Sequence, residues 1–383
     1  MFRRLILLAL VVTLSACVST VPKKMKPTFY PALPQRPRLQ FLTTINSEAD
    51  LGNKQSSLSV MLNGKKASKS LRRPFAFGSV KGKIYVCDTA YKHIIILDLK
   101  KKKMGYIKED KESALASPFG IYVSDDGFKY VADALRKQIM VFGPDEKFVR
   151  SYGEKGQLER PLDVAVHGNR IYVVDYKRFA IVVIDKKSGK TIQTIGGPGT
   201  NPGRFERPSN ICLDSKGDIF VNDSFNFRIQ EFDPQGKYLR KFGYGGTTLG
   251  GFARPKGLDV SPDGKFLYVV DAAFENVQIF QVKSTELALF FGGFGKAPGS
   301  LYLPGGIYID NKNIEYFKKY AAKDFKIKYL VIVGNMLGMN KLSVYGFGDW
   351  TGKLPKKSSK VQGVIKELKA KYGKKDSKSD AAK

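Results

Sequence analysis

A proline that opens a short apolar run recurs at Pro74, Pro118, Pro161, Pro208, Pro255 and Pro304, at intervals of 44, 43, 47, 47 and 49 residues. After each of the first five prolines, a second apolar run ends in aspartate: Asp88, Asp133, Asp175, Asp223 and Asp271. A third run follows within a few residues (His93 to Leu97, Ile139 to Phe142, Ile181 to Ile184, Ile229 to Phe232, Val277 to Phe280), and a fourth, more polar one closes the unit. Four short strands repeating every forty-odd residues are the signature of β-propeller blades. Six units predict six blades. Such a fold names a scaffold with a binding face and does not by itself name a reaction.

The ring needs a closing strand. In the sixth unit, Pro304 begins the first strand, Tyr329 to Val333 form the second and Lys341 to Tyr345 the third, with no good fourth strand after them. The run Arg38 to Ile45 reads as that missing strand, so the expected propeller spans residues 38–350 and is closed by N-terminal sequence. Closure removes two sheet edges that would template aggregation. Two insertions interrupt the pattern, at 46–71 and 311–328. In the second, Ile314, Phe317, Tyr320 and Ala321 recur at helical spacing, which predicts a short helix packed on the blade.

The flanks carry different information. Arg3 and Arg4 precede an apolar stretch from Leu5 to Leu14, and Leu14-Ser15-Ala16-Cys17 resembles a bacterial lipobox. Residues 1–16 are therefore expected to be a lipoprotein signal peptide and Cys17 the lipidated residue. Valine at position 18 favours the outer membrane under the sorting rule for such lipoproteins. Residues 17–37, with five prolines, read as an extended tether. Residues 351–383 form a Lys-rich tail in which Val361, Ile365, Leu368 and Tyr372 share one helical face, suited to an anionic membrane surface or a partner. The formal net charge of +30 points to anionic surfaces, and nucleic acid is a poor partner for an exported chain. Cys87 and Cys212 fall in strand patterns of opposite blades and read as buried free thiols.

The fourth unit carries the fullest motif: Arg207-Pro208-Ser209-Asn210-Ile211, Ile219-Phe220-Val221-Asn222-Asp223 and Asn226-Phe227-Arg228-Ile229. The repeat resembles the NHL family over residues 38–348. With the lipobox and the tether, the chain resembles bacterial six-bladed NHL lipoproteins, and the fold class expected is an all-β, six-bladed NHL-type propeller. The resemblance implies a partner class among envelope proteins, including cytochromes and export-system components, and no mechanism.

Strand order places the loops between second and third strands on one face, with the connections into the next blade. That face carries Lys92, His93, Arg136, Lys137, Lys177, Arg178 and Arg228, interleaved with Tyr91, Tyr176 and Phe227. It is expected to bind an acidic or extended partner. The strand-ending aspartates and the pre-proline arginines Arg73, Arg160, Arg207 and Arg254 are expected to cap turns and pair between blades. The channel gives a weaker alternative. Residues two positions after each proline should face the axis, and only Asp163 and Asn210 of these could ligate a divalent metal. A zinc lyase of the peptide-amidating type needs clustered histidines, whereas His93 and His167 fall on opposite faces. The expectation is a non-enzymatic, lipid-anchored binding or assembly module of the bacterial envelope, without a required cofactor. The alternatives are a propeller hydrolase or lyase with a channel metal, and a binder of acidic polysaccharide.

Overall fold

A computed structural model describes residues 26–52, 61–62, 68–154 and 156–355. The expected signal segment, Cys17 and the helical part of the Lys-rich tail lie outside the described residues. No helix among the described residues is long and apolar enough to cross a membrane.

Six antiparallel blades form the ring, their innermost strands being Pro74–Val80, Pro118–Val123, Pro161–His167, Pro208–Leu213, Pro255–Val260 and Pro304–Asp310. Blades 1 to 5 have four strands each, in sequence order from the channel outward. Blade 6 has five. Its own Phe325–Asn335 and Leu342–Trp350 are followed outward by Leu39–Ile45 and then by Thr28–Tyr30. The closing strand pairs Leu39 with Phe347 and Ile45 with Leu342. The fifth strand was not anticipated and shortens the expected tether, because Phe29 packs against Phe325 and Trp350 while Tyr30 meets Phe291 and Tyr345. In the second insertion a short helix, Ile314–Phe317, runs into a tighter turn at Lys318–Tyr320, with Phe317 buried.

The repeated proline and aspartate are explained by their pairing. Each of the first five opening prolines lies opposite the aspartate that ends the second strand, from Pro74 with Asp88 to Pro255 with Asp271. The pairing of each inner strand begins at its proline, so the amides just before it have no ladder partner. The buried carboxylate accepts them. Asp88 takes the N–H groups of Arg72 and Arg73 and, from the loop beyond, those of Ala90 and Tyr91. Asp133, Asp175 and Asp271 repeat this arrangement, so these aspartates hold two loops of their own blade together. In blade 6, Asn335 stands opposite Pro304 and accepts the N–H of Tyr302, while Glu275 of blade 5 takes the N–H of Leu303.

The apolar interior is divided into six clusters, one at each blade interface. Nearest-neighbour packing of this kind makes each blade depend on both neighbours. Cys87 and Cys212 are buried and free in opposite blades, and burial pushes both thiols up.

Candidate binding face

We call the face with the second-to-third-strand loops and the interblade connections the upper face. Its loops share one conformation. The residue four beyond the aspartate is left-handed in blades 1 to 5, with φ near 60° at Lys92, 58° at Lys137, 54° at Phe179, 52° at Phe227 and 52° at Glu275. In blades 1, 2, 3 and 5 the buried aspartate shapes this turn by accepting the loop amides that precede it, and in blade 4 Asp223 accepts the side-chain amide of Asn226 instead.

The expected site residues separate into three groups. Lys92, Lys137 and Lys177 are exposed and have no ion-pair partner among the described residues. Others are tied to the scaffold. Arg136 donates to the carbonyl of Ala114 at 2.8 Å and to Gln138 at 3.3 Å. Arg178 donates to the carbonyl of Gly156 at 2.7 Å and lies 3.6 Å from both Glu159 and Asp175. His93 Nδ1 is 3.0 Å from a Glu109 carboxylate oxygen. Tyr91 lies under Arg72, and Tyr176 lies under both Arg160 and Arg207, the latter arriving from the next blade. Phe227 is partly exposed beside Gly245.

Arg228 is the correction. It is 8% exposed, its Nε donates to Asp223 at 2.8 Å, and its Nη2 donates to the carbonyls of Asn201 and Arg204. Its guanidinium is the internal partner of a buried aspartate and not part of a free surface. The aspartate five residues earlier is the sequence signal for this.

The channel encloses about 230 Å³ and is lined by two layers of inner-strand residues. The first layer, two residues after the proline, includes Asp163, Asn210, Gly257 and Gly306 as expected. The second, two residues further on, includes Tyr122, Cys212, Asp259 and Tyr308. A period of two puts both layers on the axis, so Asp259 was readable and overlooked.

Asp163 and Asn210 are brought together but engage each other. Asn210 Nδ2 donates to Asp163 at 3.3 Å, and the same carboxylate accepts the N–H of Ile211 at 3.2 Å and of Val164 at 2.9 Å. Asp259 likewise accepts the N–H of Val260 at 2.8 Å and of Ile309, in the neighbouring blade, at 2.7 Å. Both carboxylates stitch inner strands whose channel-facing amides would otherwise lack partners. Among the described residues no three His, Cys, Asp or Glu side chains are grouped to hold a metal.

Desolvation pushes both Asp163 and Asp259 up to about 7, against the opposing pull of their backbone hydrogen bonds. The native state thus binds more protons than the unfolded chain between the two ranges. These groups contribute stability in acid that is lost as pH rises towards 7. The loss is on the order of 4 kcal/mol per group. A chain carrying Asp163→Asn and Asp259→Asn should have a flatter stability curve between about pH 4.5 and about pH 7.5 in urea titrations. The slope is the readout, because Asn gives up one acceptor and lowers the baseline. Parallel curves for the two chains would refute the assignment.

Residues 154–245 match a family described as a 6-bladed beta-propeller. A probable peptidyl-alpha-hydroxyglycine alpha-amidating lyase from Caenorhabditis elegans is 24% identical over 206 residues, covering 52% of this chain and 55% of that protein. Human NHL repeat-containing protein 3 is 27% identical over 172 residues, covering 42% of this chain and 47% of that protein. The chain therefore spans about half the length of these curated relatives. A solved structure of a protein of unknown function from Bacteroides thetaiotaomicron superposes with a TM-score of 0.53 at 15% identity, over 80% of this chain and 75% of that one. With the observed ring, these likenesses make the chain a six-bladed β-propeller that is similar to NHL-repeat proteins. Its histidines do not cluster. The chain has two histidines, and His93 starts a third strand at the upper face while His167 ends an inner strand at the lower face beside Gly217.

Proposed function

We propose that this chain is a non-enzymatic binding or assembly module of the bacterial cell envelope, anchored by lipid at Cys17, which captures an acidic protein partner on its upper face. One observation carries the reading. The repeated aspartates of that face are buried and bonded to backbone amides, so they do not act as surface counter-charges to the exposed Lys92, Lys137 and Lys177. Complementary charge speeds encounter and selects partners. The lipobox sequence supports the anchor, and an envelope protein such as a cytochrome or an export-system component is the partner class proposed.

The test is a crosslinking pull-down of the tagged chain from its native envelope. A control carries Lys92→Glu, Lys137→Glu and Lys177→Glu and leaves the scaffold-bound Arg136 and Arg178 untouched. A specific protein retained by the natural chain should be lost from the control, at least about tenfold. Cys17→Ser should release the chain from membranes. Identical proteins on both baits would end this reading, and recovery of acidic polysaccharide in place of protein would replace the partner class.

A further inference from the structure

Immediately after the blade-opening prolines stand Phe75, Phe119, Leu162, Ser209, Lys256 and Gly305, one per blade. This position lies in the bulge that interrupts the register at the start of each inner strand. These residues meet around the upper mouth of the channel, and the ring they make is lopsided. Blades 1 to 3 supply apolar side chains, blades 4 and 5 supply polar ones, and blade 6 supplies none.

A cavity of about 210 Å³ opens there. Phe75 and Phe119 form one wall, packed edge to face at 5.5 Å between ring centres. Met336 and Leu162 extend it, and Lys256 and Arg254 stand on the polar side. Among the described residues no carboxylate lines the cavity. Neither cation has an ion-pair partner, and neither side chain donates a hydrogen bond among the described residues. The backbone carrying Lys256 is fixed, because Asn222 Nδ2 donates to the carbonyls of Pro255 and Lys256 at 3.0 and 2.9 Å. Arg254 is exposed and hydrated, whereas Lys256 is half-buried with no counterion among the described residues, so the lysine charge is left uncompensated on the cavity side. Burial, and then Arg254, hold the Lys256 ammonium below the usual lysine range. An entering anion would offset both by direct attraction to the ammonium.

We propose that this cavity binds one aromatic or apolar group that carries a carboxylate, with the carboxylate at Lys256 and Arg254 and the apolar body against Phe75 and Phe119. The inference rests on the upper face being the binding face and deepens it by naming what the partner must present. A carboxylate between two cations gains charge-assisted hydrogen bonds, and the ring wall supplies apolar burial and edge contacts. The volume admits one such group, so the cavity reads an anchor and leaves the surrounding lysines to the rest of the partner.

The probes are 3-phenylpropionate and its amide, and the tripeptide Gly-Gly-Phe with a free or an amidated C-terminus. Each is titrated into the purified full-length protein at low salt and followed calorimetrically. Both acids should bind at least about tenfold more tightly than their amides. Lys256→Met should bring the acids down to the level of the amides, and Phe119→Ala should weaken acid and amide alike. Tighter binding of the tripeptide acid than of phenylpropionate assigns the group to a chain end, and the reverse order assigns it to a free small acid. Equal binding of acid and amide, binding of neither, or an unaffected Lys256→Met chain with a normal urea midpoint overturns the proposal. The two readings also fail separately. Partner capture lost on reversal of Lys92, Lys137 and Lys177, with no probe bound, removes the cavity and keeps the face. Probe binding retained while that reversal leaves capture intact removes the face and keeps the cavity.

Discussion

Deleting Leu39–Ile45 is expected to abolish cooperative unfolding and leave an aggregating chain. The strand belongs to two interfaces at once. Leu39 and Phe41 sit in the cluster between blades 5 and 6, and Leu42 and Ile45 in the cluster between blades 6 and 1. All four are buried, Leu39 completely. At roughly 1.5–3 kcal/mol for each fully buried side chain, their removal forfeits about 6–12 kcal/mol. That is the size of the whole stability of an ordinary domain, roughly 5–15 kcal/mol. The deletion also uncovers the long strand Leu342–Trp350 as a free edge, ready to pair with another chain. A shorter deletion, through Tyr30 only, removes the outermost strand and leaves the ring closed, so it should lower the urea midpoint without loss of cooperativity. Size-exclusion chromatography and urea titration of the two deletions decide the matter. A cooperative transition near the natural midpoint in the chain lacking Leu39–Ile45 would show that closure by this strand does not hold the ring.

The contrast between these two strands shows what the sequence could disclose. Residues 38–45 were readable as a strand because the repeat left one place empty and their apolar pattern matched it. Thr28–Tyr30 follows no repeat. It is a strand because Phe29 finds Phe325 and Trp350, residues 296 and 321 positions away in the chain. The same division runs through the candidate site. The loop lysines were legible because strand order alone fixes which loops share a face. Arg228 was misplaced because a charge in a loop motif looks exposed until its bond to Asp223 is known. Asp259 was missed by stopping at the first of two channel layers. The cavity at the mouth was written in the residue after each proline, but its meaning depends on which of six unlike side chains become neighbours. Periodicity predicts the ring and not its occupants.

Gly306→Ala should be the most damaging single-atom change in the ring, costing about 3 kcal/mol or more. An added Cβ at this position would lie 1.8 Å from the carbonyl oxygen of Phe75 and 2.8 Å from its carbonyl carbon. Those atoms are backbone of blade 1, so no rotamer change makes room. The strand on the other side is no freer, since a Cβ on Gly257 of blade 5 would come within 2.7 Å of the Gly306 Cα. Three inner strands therefore approach at backbone distance, and a shift in one is passed around a closed ring. Gly105→Ala, in the outer strand of blade 1, is the matched control. Its Cβ would meet nothing within 4 Å, and its effect should stay within about 0.5–1 kcal/mol in either direction. Urea midpoints of the two variants give the comparison. Equal midpoints would mean that the blades can spread at the axis without cost. A large loss at Gly306 alone would also explain why the inner strand of blade 6 brings no side chain to the upper mouth: Gly305 and Gly306 place its backbone against Phe75, and the aromatic wall of the cavity needs that contact to stand where it does.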